Sequence, residues 1–212
     1  MGVQGLIIAV DGPTASGKGT IARGLAAHYG LPHLDTGLLY RAVGRQVFLN
    51  GGDPNDPAAA LAATVFPDSL LTDPALRTEE TGGLASRVSV HPAVRQALYE
   101  RQRAFALQPG GAVLDGRDIG TVIAPEASAK LFVIASVGAR AQRRFLEMQA
   151  RGVAVTLDEI EADLAARDER DRTRKEAPLV AAGDAMLLDN SELSAEASVM
   201  AAIRLVDQRT GR

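Results

Sequence analysis

Apolar residues come in two patterns along this chain, short unbroken runs and runs spaced by three and four, and the two alternate. GLIIAVD (5–11) is an unbroken run that ends at a glycine turn, which predicts a buried strand. The following TIARGLAAHYG (20–30) places Ile21, Ala22, Leu25 and Ala26 on one helical face and stops at Gly30. PHLD (32–35) predicts a short second strand, and TGLLYRAVGRQVFL (36–49) returns to helical spacing. Glycine and proline punctuate 50–75, so that stretch reads as loop with a helical AAALAATV inside it. A helix is predicted from Pro92 to about Leu107, with proline in the first turn, where its missing N–H costs nothing. GAVLD (111–115), AKLFVIA (129–135) and AMLLDN (185–190) predict three further strands. Thr156 to Glu159 form a capping box that opens a helix, and SAEASVMAAIRLVDQ predicts a last one.

Strands that alternate with helices over one core imply an α/β fold, a mainly parallel sheet covered on both faces by helices. A length of 212 residues suits a single domain, and 46% hydrophobic residues exclude a disordered chain. The net charge of -3 argues against a general nucleic-acid binder, which needs a basic surface. No cysteine occurs, which removes disulfides, thiolate zinc sites and cysteine nucleophiles together and fits a reducing cytosol. The N-terminal MGVQGLIIAVDG is apolar too briefly to span a membrane and lacks a basic start, so a cytoplasmic location without membrane contact is expected.

Candidate chemistry begins in DGPTASGKGT (11–20). Gly12, Gly17 and Lys18 match G-x-x-x-x-G-K between a predicted strand and a predicted helix, the context a phosphate-binding loop requires. Backbone N–H groups of such a turn face phosphate oxygens, and the helix N-terminus adds its partial positive charge. Gly12, Pro13, Thr14, Ala15, Ser16, Gly17, Lys18, Gly19 and Thr20 are therefore the candidate phosphate-binding residues, the alternative being a chance glycine turn. Gly19 stands where strict loops place the magnesium-holding hydroxyl, which here comes one residue later at Thr20. The GKGT form resembles the nucleoside monophosphate kinases, whose loop is functional; Mg2+ would then meet Thr20, directly or through water.

A kinase must hold a second anion in line with the γ-phosphate, and arginines clamp anions well. Only three of the 23 basic residues are lysine, although genome composition explains most of that. LDTGLLYR supplies Asp35, Thr36 and Arg41; LDGRDIG supplies Asp115, Arg117 and Asp118; RDERDRTR (167–174) supplies Arg167, Arg170, Asp171, Arg172 and Arg174. Each has a plainer alternative: a surface helix arginine, an Asp-Gly turn, and a solvated helix face of paired charges. The three histidines, His28, His33 and His91, are expected to be structural or surface residues, with His33 nearest the site.

Together with RTEETGGLASRVSVHPAVRQAL, RQRAF, DGRDIGTVI, ARDERDRTRKEAPL and DAMLLDN, these motifs resemble the bacterial cytidylate kinases in order along most of the chain. The resemblance implies a three-layer P-loop NTPase fold with a core of about 1–49 and 108–212. It further implies a monophosphate-binding insertion at about 50–107 and a lid at about 152–178. It implies transfer of the γ-phosphate of ATP to CMP or dCMP by a monomer. Lys18, Arg117 and Arg174 would be catalytic, and Arg170 and Arg172 would lie in a lid closing over ATP. Ser86, Arg95 and Asp118 would read the cytosine ring, while Arg41, Arg117 and Arg174 would grip the acceptor phosphate. Arg167 and Asp171 would hold the sugar hydroxyls, with Asp35 and Thr36 also lining the CMP site. One departure is that the family pattern carries a longer, sheet-bearing insertion, whereas residues 50–77 are short, proline-rich and lack a hairpin pattern. Alternatives are another small-acceptor kinase of the adenylate or shikimate type, or a non-catalytic nucleotide-binding switch.

Overall fold

The computed structural model describes residues 5–212; Met1 to Gln4, the start of the N-terminal stretch and of the single-domain assignment, lie outside the described residues. Five strands form one sheet: β1 (Leu6–Asp11), β2 (His33–Asp35), β3 (Gly111–Gly116), β4 (Ala129–Ile134) and β5 (Met186–Asp189), in the order β2-β3-β1-β4-β5. β1 runs parallel to β3 and β4, and β4 parallel to β5. All six residues of β1 and of β3 are buried, because helices cover both faces, and this is why these strands read as unbroken apolar runs. Each predicted strand lies within a residue or two of its observed position.

The chain divides into two compact units, residues 1–34 with 106–212, and residues 35–105. The first holds the sheet with α1 (Lys18–Tyr29), α6 (Val137–Ala150), α7 (Leu157–Thr173) and α8 (Ala195–Thr210). Ile21, Leu25, Ala202 and Val206 pack on Ile8, Val10, Leu131 and Val133 to form its main core. Tyr29 ties α1 to α8 by donating from its hydroxyl to Asp207 Oδ1 at 2.6 Å. α6 escapes the hydrophobic pattern because only Arg140 and Ala141 of its residues are buried, so its helical period is faint.

The second unit holds α2 (Thr36–Leu49), α3 (Pro57–Ala62), α4 (Glu79–Val88) and most of α5 (Pro92–Ala106), with single tight turns at Asp68–Thr72 and Pro74–Arg77. No strand occurs among its described residues after Asp35. α4 is absent from the sequence expectations because Gly82 and Gly83 read as a break. It forms because Thr78 caps it, accepting from the Thr81 N–H, and because Gly44 of α2 admits it closely. A Cβ at Gly44 would come within 2.8 Å of Leu84 Cβ. α2, which the sequence places in the core, groups with this unit. Among the described residues, no helix is long and apolar enough to cross a membrane.

Candidate active site

β1 has β3 on one side and β4 on the other, so the strand order reverses at its carboxyl end, where α/β sheets open a crevice for ligands. The glycine loop leaves the sheet at that point. Gly12 is required there because a Cβ would meet the Val133 carbonyl oxygen at 2.2 Å. Gly17 caps α1 in the left-handed conformation at φ 85°.

The loop carbonyls are drawn outward. Lys18 Nζ donates to the Pro13 carbonyl at 3.2 Å, Arg140 Nη1 to that of Thr14 at 3.0 Å, and Asn190 Nδ2 to that of Ser16 at 2.8 Å. Three loop carbonyls are thereby occupied, as suits a glycine turn whose N–H groups serve an anion. Ser16 Oγ is fully buried with no hydrogen-bond partner, a polar atom in need of a ligand. Two supports hold this arrangement. Arg140 makes a two-point contact with Asp168 at 3.1 and 2.6 Å and also donates to the Ala135 carbonyl. Arg143 donates to Asn190 through Oδ1 at 3.1 Å and through the carbonyl at 2.5 Å.

Arg117 is the bridge between this loop and α7. Its Nη2 donates to Thr14 Oγ1 at 2.5 Å, and its Nε forms a close ion pair with Asp171. Burial would raise the Asp171 carboxyl, but the Arg117 guanidinium, aided by Arg174 at 3.7 Å, holds it below the usual carboxylate range. Arg174 Nε donates to the Ala177 carbonyl at 2.7 Å, which folds the chain back past the end of α7. The charged run 167–174 is therefore of two kinds. Arg167, Asp168 and Asp171 are buried on one face, whereas Arg172 is exposed beside Glu169 and Arg170 is half-buried. The plainer alternative of a wholly solvated face does not hold for its inner half.

At the end of β3, Asp115 is buried and bonded to His33 Nε2 at 2.6 Å, so His33 is structural and also adjoins the site. Asp118 is buried and opens a wide turn over Ile119–Ile123. Asp11 accepts the N–H groups of Ile119 at 2.9 Å and Gly120 at 2.8 Å. Burial and the neighbouring Asp118 push the Asp11 carboxyl up to about 7, against those two N–H bonds and Lys18. His91 is buried against the Pro54 carbonyl and His28 is exposed.

The remaining predicted residues lie in the unit of residues 35–105. Asp35 precedes α2, and Thr36 is buried in its first turn. Arg41 is half-buried, donating to the carbonyls of Leu76 at 2.9 Å and Thr78 at 3.2 Å, and is no ordinary surface arginine. Ser86 is on α4, and Arg95 of α5 lies over the Tyr40 ring at 5.6 Å.

Hard oxygen donors suit a divalent ion brought by phosphates. The Thr20 hydroxyl is on the exposed side of the first turn of α1, and a Cβ built on Gly19 would lie 3.7 Å from Asp115 Oδ2. Among the described residues no group of three His, Cys, Asp or Glu side chains could hold a metal.

Sequence reasoning assigned no role to Asp11, Arg140, Asp168, Arg143 or Asn190. Asp11 had one legible signal, an acid closing an apolar strand directly before Gly12; the others depend on folding.

A family model described as cytidylate kinase matches residues 8–208. A cytidylate kinase of Rhodopseudomonas palustris (strain TIE-1) is 55% identical over 209 residues, 98% of this chain and 99% of its own length. One of Caulobacter sp. (strain K31) is 55% identical over 207 residues, covering 97% of this chain and 96% of the relative. Relatives of nearly the same length leave no room for a long extra segment, so the short 50–77 stretch is no oddity of this chain. Among solved structures, an uncharacterized protein from Eubacterium ventriosum ATCC 27560 superimposes with a TM-score of 0.55 at 17% identity, over 97% of this chain and 99% of that one, a likeness of fold.

Proposed function

Because this chain belongs to the cytidylate kinase family, its activity is phosphoryl transfer to cytidylate, and we propose how its residues perform it. ATP is the donor and CMP or dCMP the acceptor, with direct in-line passage of the γ-phosphoryl group and no covalent enzyme intermediate. Such transfer needs positioning and charge neutralisation more than covalent chemistry. The observation that carries the reading is Arg117, bonded both to Thr14 of the glycine loop and to Asp171 of α7. A guanidinium so held stands beside the donor phosphates and can exchange its Asp171 oxygen for one on the transferring group.

In this reading residues Gly12 to Thr20 cradle the ATP phosphates, and Lys18 leaves the Pro13 carbonyl to follow the γ-phosphate. Arg174 and Arg41 hold the acceptor phosphate; Arg167 and Asp171 hold the sugar; Asp35 and Thr36 line the acceptor site. Asp118, with Ser86 and Arg95, reads cytosine: its carboxylate accepts from the exocyclic amine, which uracil lacks, and mismatched buried polar groups discriminate strongly. Arg170 and Arg172 belong to the segment that covers ATP, excluding water from the transfer. Mg2+ would be held by Thr20, through water, together with the ATP phosphates, where it neutralises their charge.

Release of ADP, followed with each nucleoside monophosphate as acceptor, tests the reading. ADP release with CMP or dCMP and little with AMP or GMP is expected. Equal release without any acceptor would overturn it. Lys18→Ala should reduce turnover by at least about a thousandfold with an unchanged melting temperature; near-normal turnover would refute the loop assignment.

A further inference from the structure

Asn190 directly follows β5 and is 3% exposed, and its N–H extends the pairing with β4 by donating to the Ile134 carbonyl at 3.0 Å. Its side chain therefore leaves the carboxyl end of the sheet from a fixed base, with β4 between it and β1. The amide reaches the glycine loop. Its Nδ2 donates to the Ser16 carbonyl at 2.8 Å, and a Cβ built on Gly17 would come within 2.9 Å of the same nitrogen. An amide can be turned end for end, but its surroundings accept one orientation. Arg143 Nη1 donates to Asn190 Oδ1 at 3.1 Å, and a guanidinium has no acceptor to offer the NH2 group. The oxygen is thus committed to Arg143 and the nitrogen to the loop. Arg143 Nη2 also donates to the Asn190 carbonyl at 2.5 Å, so one guanidinium holds both the side chain and the backbone of this residue.

What this fixes is a peptide plane. A trans peptide points its C=O and the next N–H in opposite directions, so a Ser16 carbonyl turned to Asn190 turns the Gly17 N–H away from it. Among the described residues nothing accepts from that N–H. Backbone N–H groups are what a loop of this kind offers to phosphate oxygens.

We propose that Asn190, oriented by Arg143, is a positioning residue for the donor nucleotide: it sets the Ser16–Gly17 peptide so that the Gly17 N–H is held ready for the phosphates of ATP. This rests on the reading of residues 12–20 as the ATP-phosphate loop. The effect is confined to the donor, because neither Asn190 nor Arg143 is among the residues assigned to the acceptor. Without the amide the Ser16 carbonyl loses its partner and the peptide is free to turn, at a cost to phosphate binding rather than to the acceptor.

Calorimetric titration with ADP and with CMP, each alone, tests the proposal on the full chain. Asn190→Leu keeps a side chain of similar size and removes the donor. Its Kd for ADP should rise roughly tenfold while that for CMP stays within about twofold of the parent. Asn190→Asp sets a carboxylate oxygen against the Ser16 carbonyl yet keeps an acceptor for Arg143. It should weaken ADP at least as much, with a melting temperature no lower than that of Asn190→Leu, and it keeps the question answerable if the leucine variant folds poorly. Arg143→Met releases the amide from its fixed orientation and should raise the Kd for ADP by about threefold; unchanged ADP affinity there overturns the part given to Arg143. If both Asn190 variants bind ADP as the parent does, or lose ADP and CMP equally, Asn190 only stabilises the fold and the proposal is overturned. Lys18→Ala separates the two readings. If it binds ADP normally, the loop assignment falls and this inference with it; if it loses ADP while the Asn190 variants keep it, this inference alone falls.

Discussion

Replacing Asp168 by alanine strips the Arg140 guanidinium of both carboxylate oxygens while leaving it in a buried site. Arg140 is 2% exposed and Asp168 is 8%, so the pair is shielded from bulk water. Removing one member of such a pair costs about 3–5 kcal/mol, because the remaining charge is buried without compensation. For a chain of this length that corresponds to a fall in melting temperature of roughly 6–20 °C. The damage also reaches the phosphate cradle, since the same guanidinium holds the Thr14 carbonyl. A double-mutant cycle with Arg140→Met and Asp168→Leu, read by urea unfolding, isolates the pair. The double variant should be more stable than the sum of the singles implies, by at least about 2 kcal/mol, because it buries no charge. Its KM for ATP should remain raised, as neither apolar residue can hold the loop carbonyl. Additive energies, or a melting temperature for Asp168→Ala within about 3 °C of the parent, would refute the reasoning.

Gly12→Ala should cost roughly 2–4 kcal/mol and abolish ATP binding by calorimetry, because the added carbon meets a backbone oxygen that cannot move aside. Tyr29→Phe removes a hydroxyl bonded to Asp207 and should cost about 1 kcal/mol in urea unfolding with kcat unchanged. Asp11 gives a pH dependence of known sign. Its folded value, about 7, lies above its ordinary 3.8, so the folded state holds the proton more tightly. Its contribution to stability is fully present below about pH 4 and is lost as pH rises through 7. Unfolding free energies of the parent and Asp11→Asn, measured between pH 4.5 and 7.5, should diverge by a few kcal/mol, the parent losing more as pH rises. Parallel curves would show that burial does not govern this carboxyl.

Much of the scaffold is local information. An unbroken run such as LIIAVD can satisfy only a strand covered on both faces, and the capping box at Thr156 announces α7 within four residues. The glycine loop is equally local, because a strand, a turn and a helix start must be contiguous to make it. α4 and α6 were not legible for opposite reasons. α4 hides behind Gly82 and Gly83, and the close approach that seats it is made at Gly44 of α2, far away in the chain. α6 buries an arginine where a helix normally buries leucine, and that arginine makes sense only once Asp168 and Thr14 are in place.

By itself, then, the order of residues determined the alternating architecture, the phosphate loop and the list of charged motifs, since each rests on neighbours in the chain. Folding decided which members of those motifs work and which support. RDERDRTR carries the same charges throughout, yet helical rotation and burial turn Arg167, Asp168 and Asp171 inward and leave Arg172 in solvent. The outward pull on the loop carbonyls comes from Arg140 and Asn190, more than a hundred residues beyond the loop. Asp11 caps a turn at Ile119 and Gly120 that is equally remote. A hydrogen bond or a buried ion pair depends on distance and dielectric in space, and neither is written in the spacing along the chain.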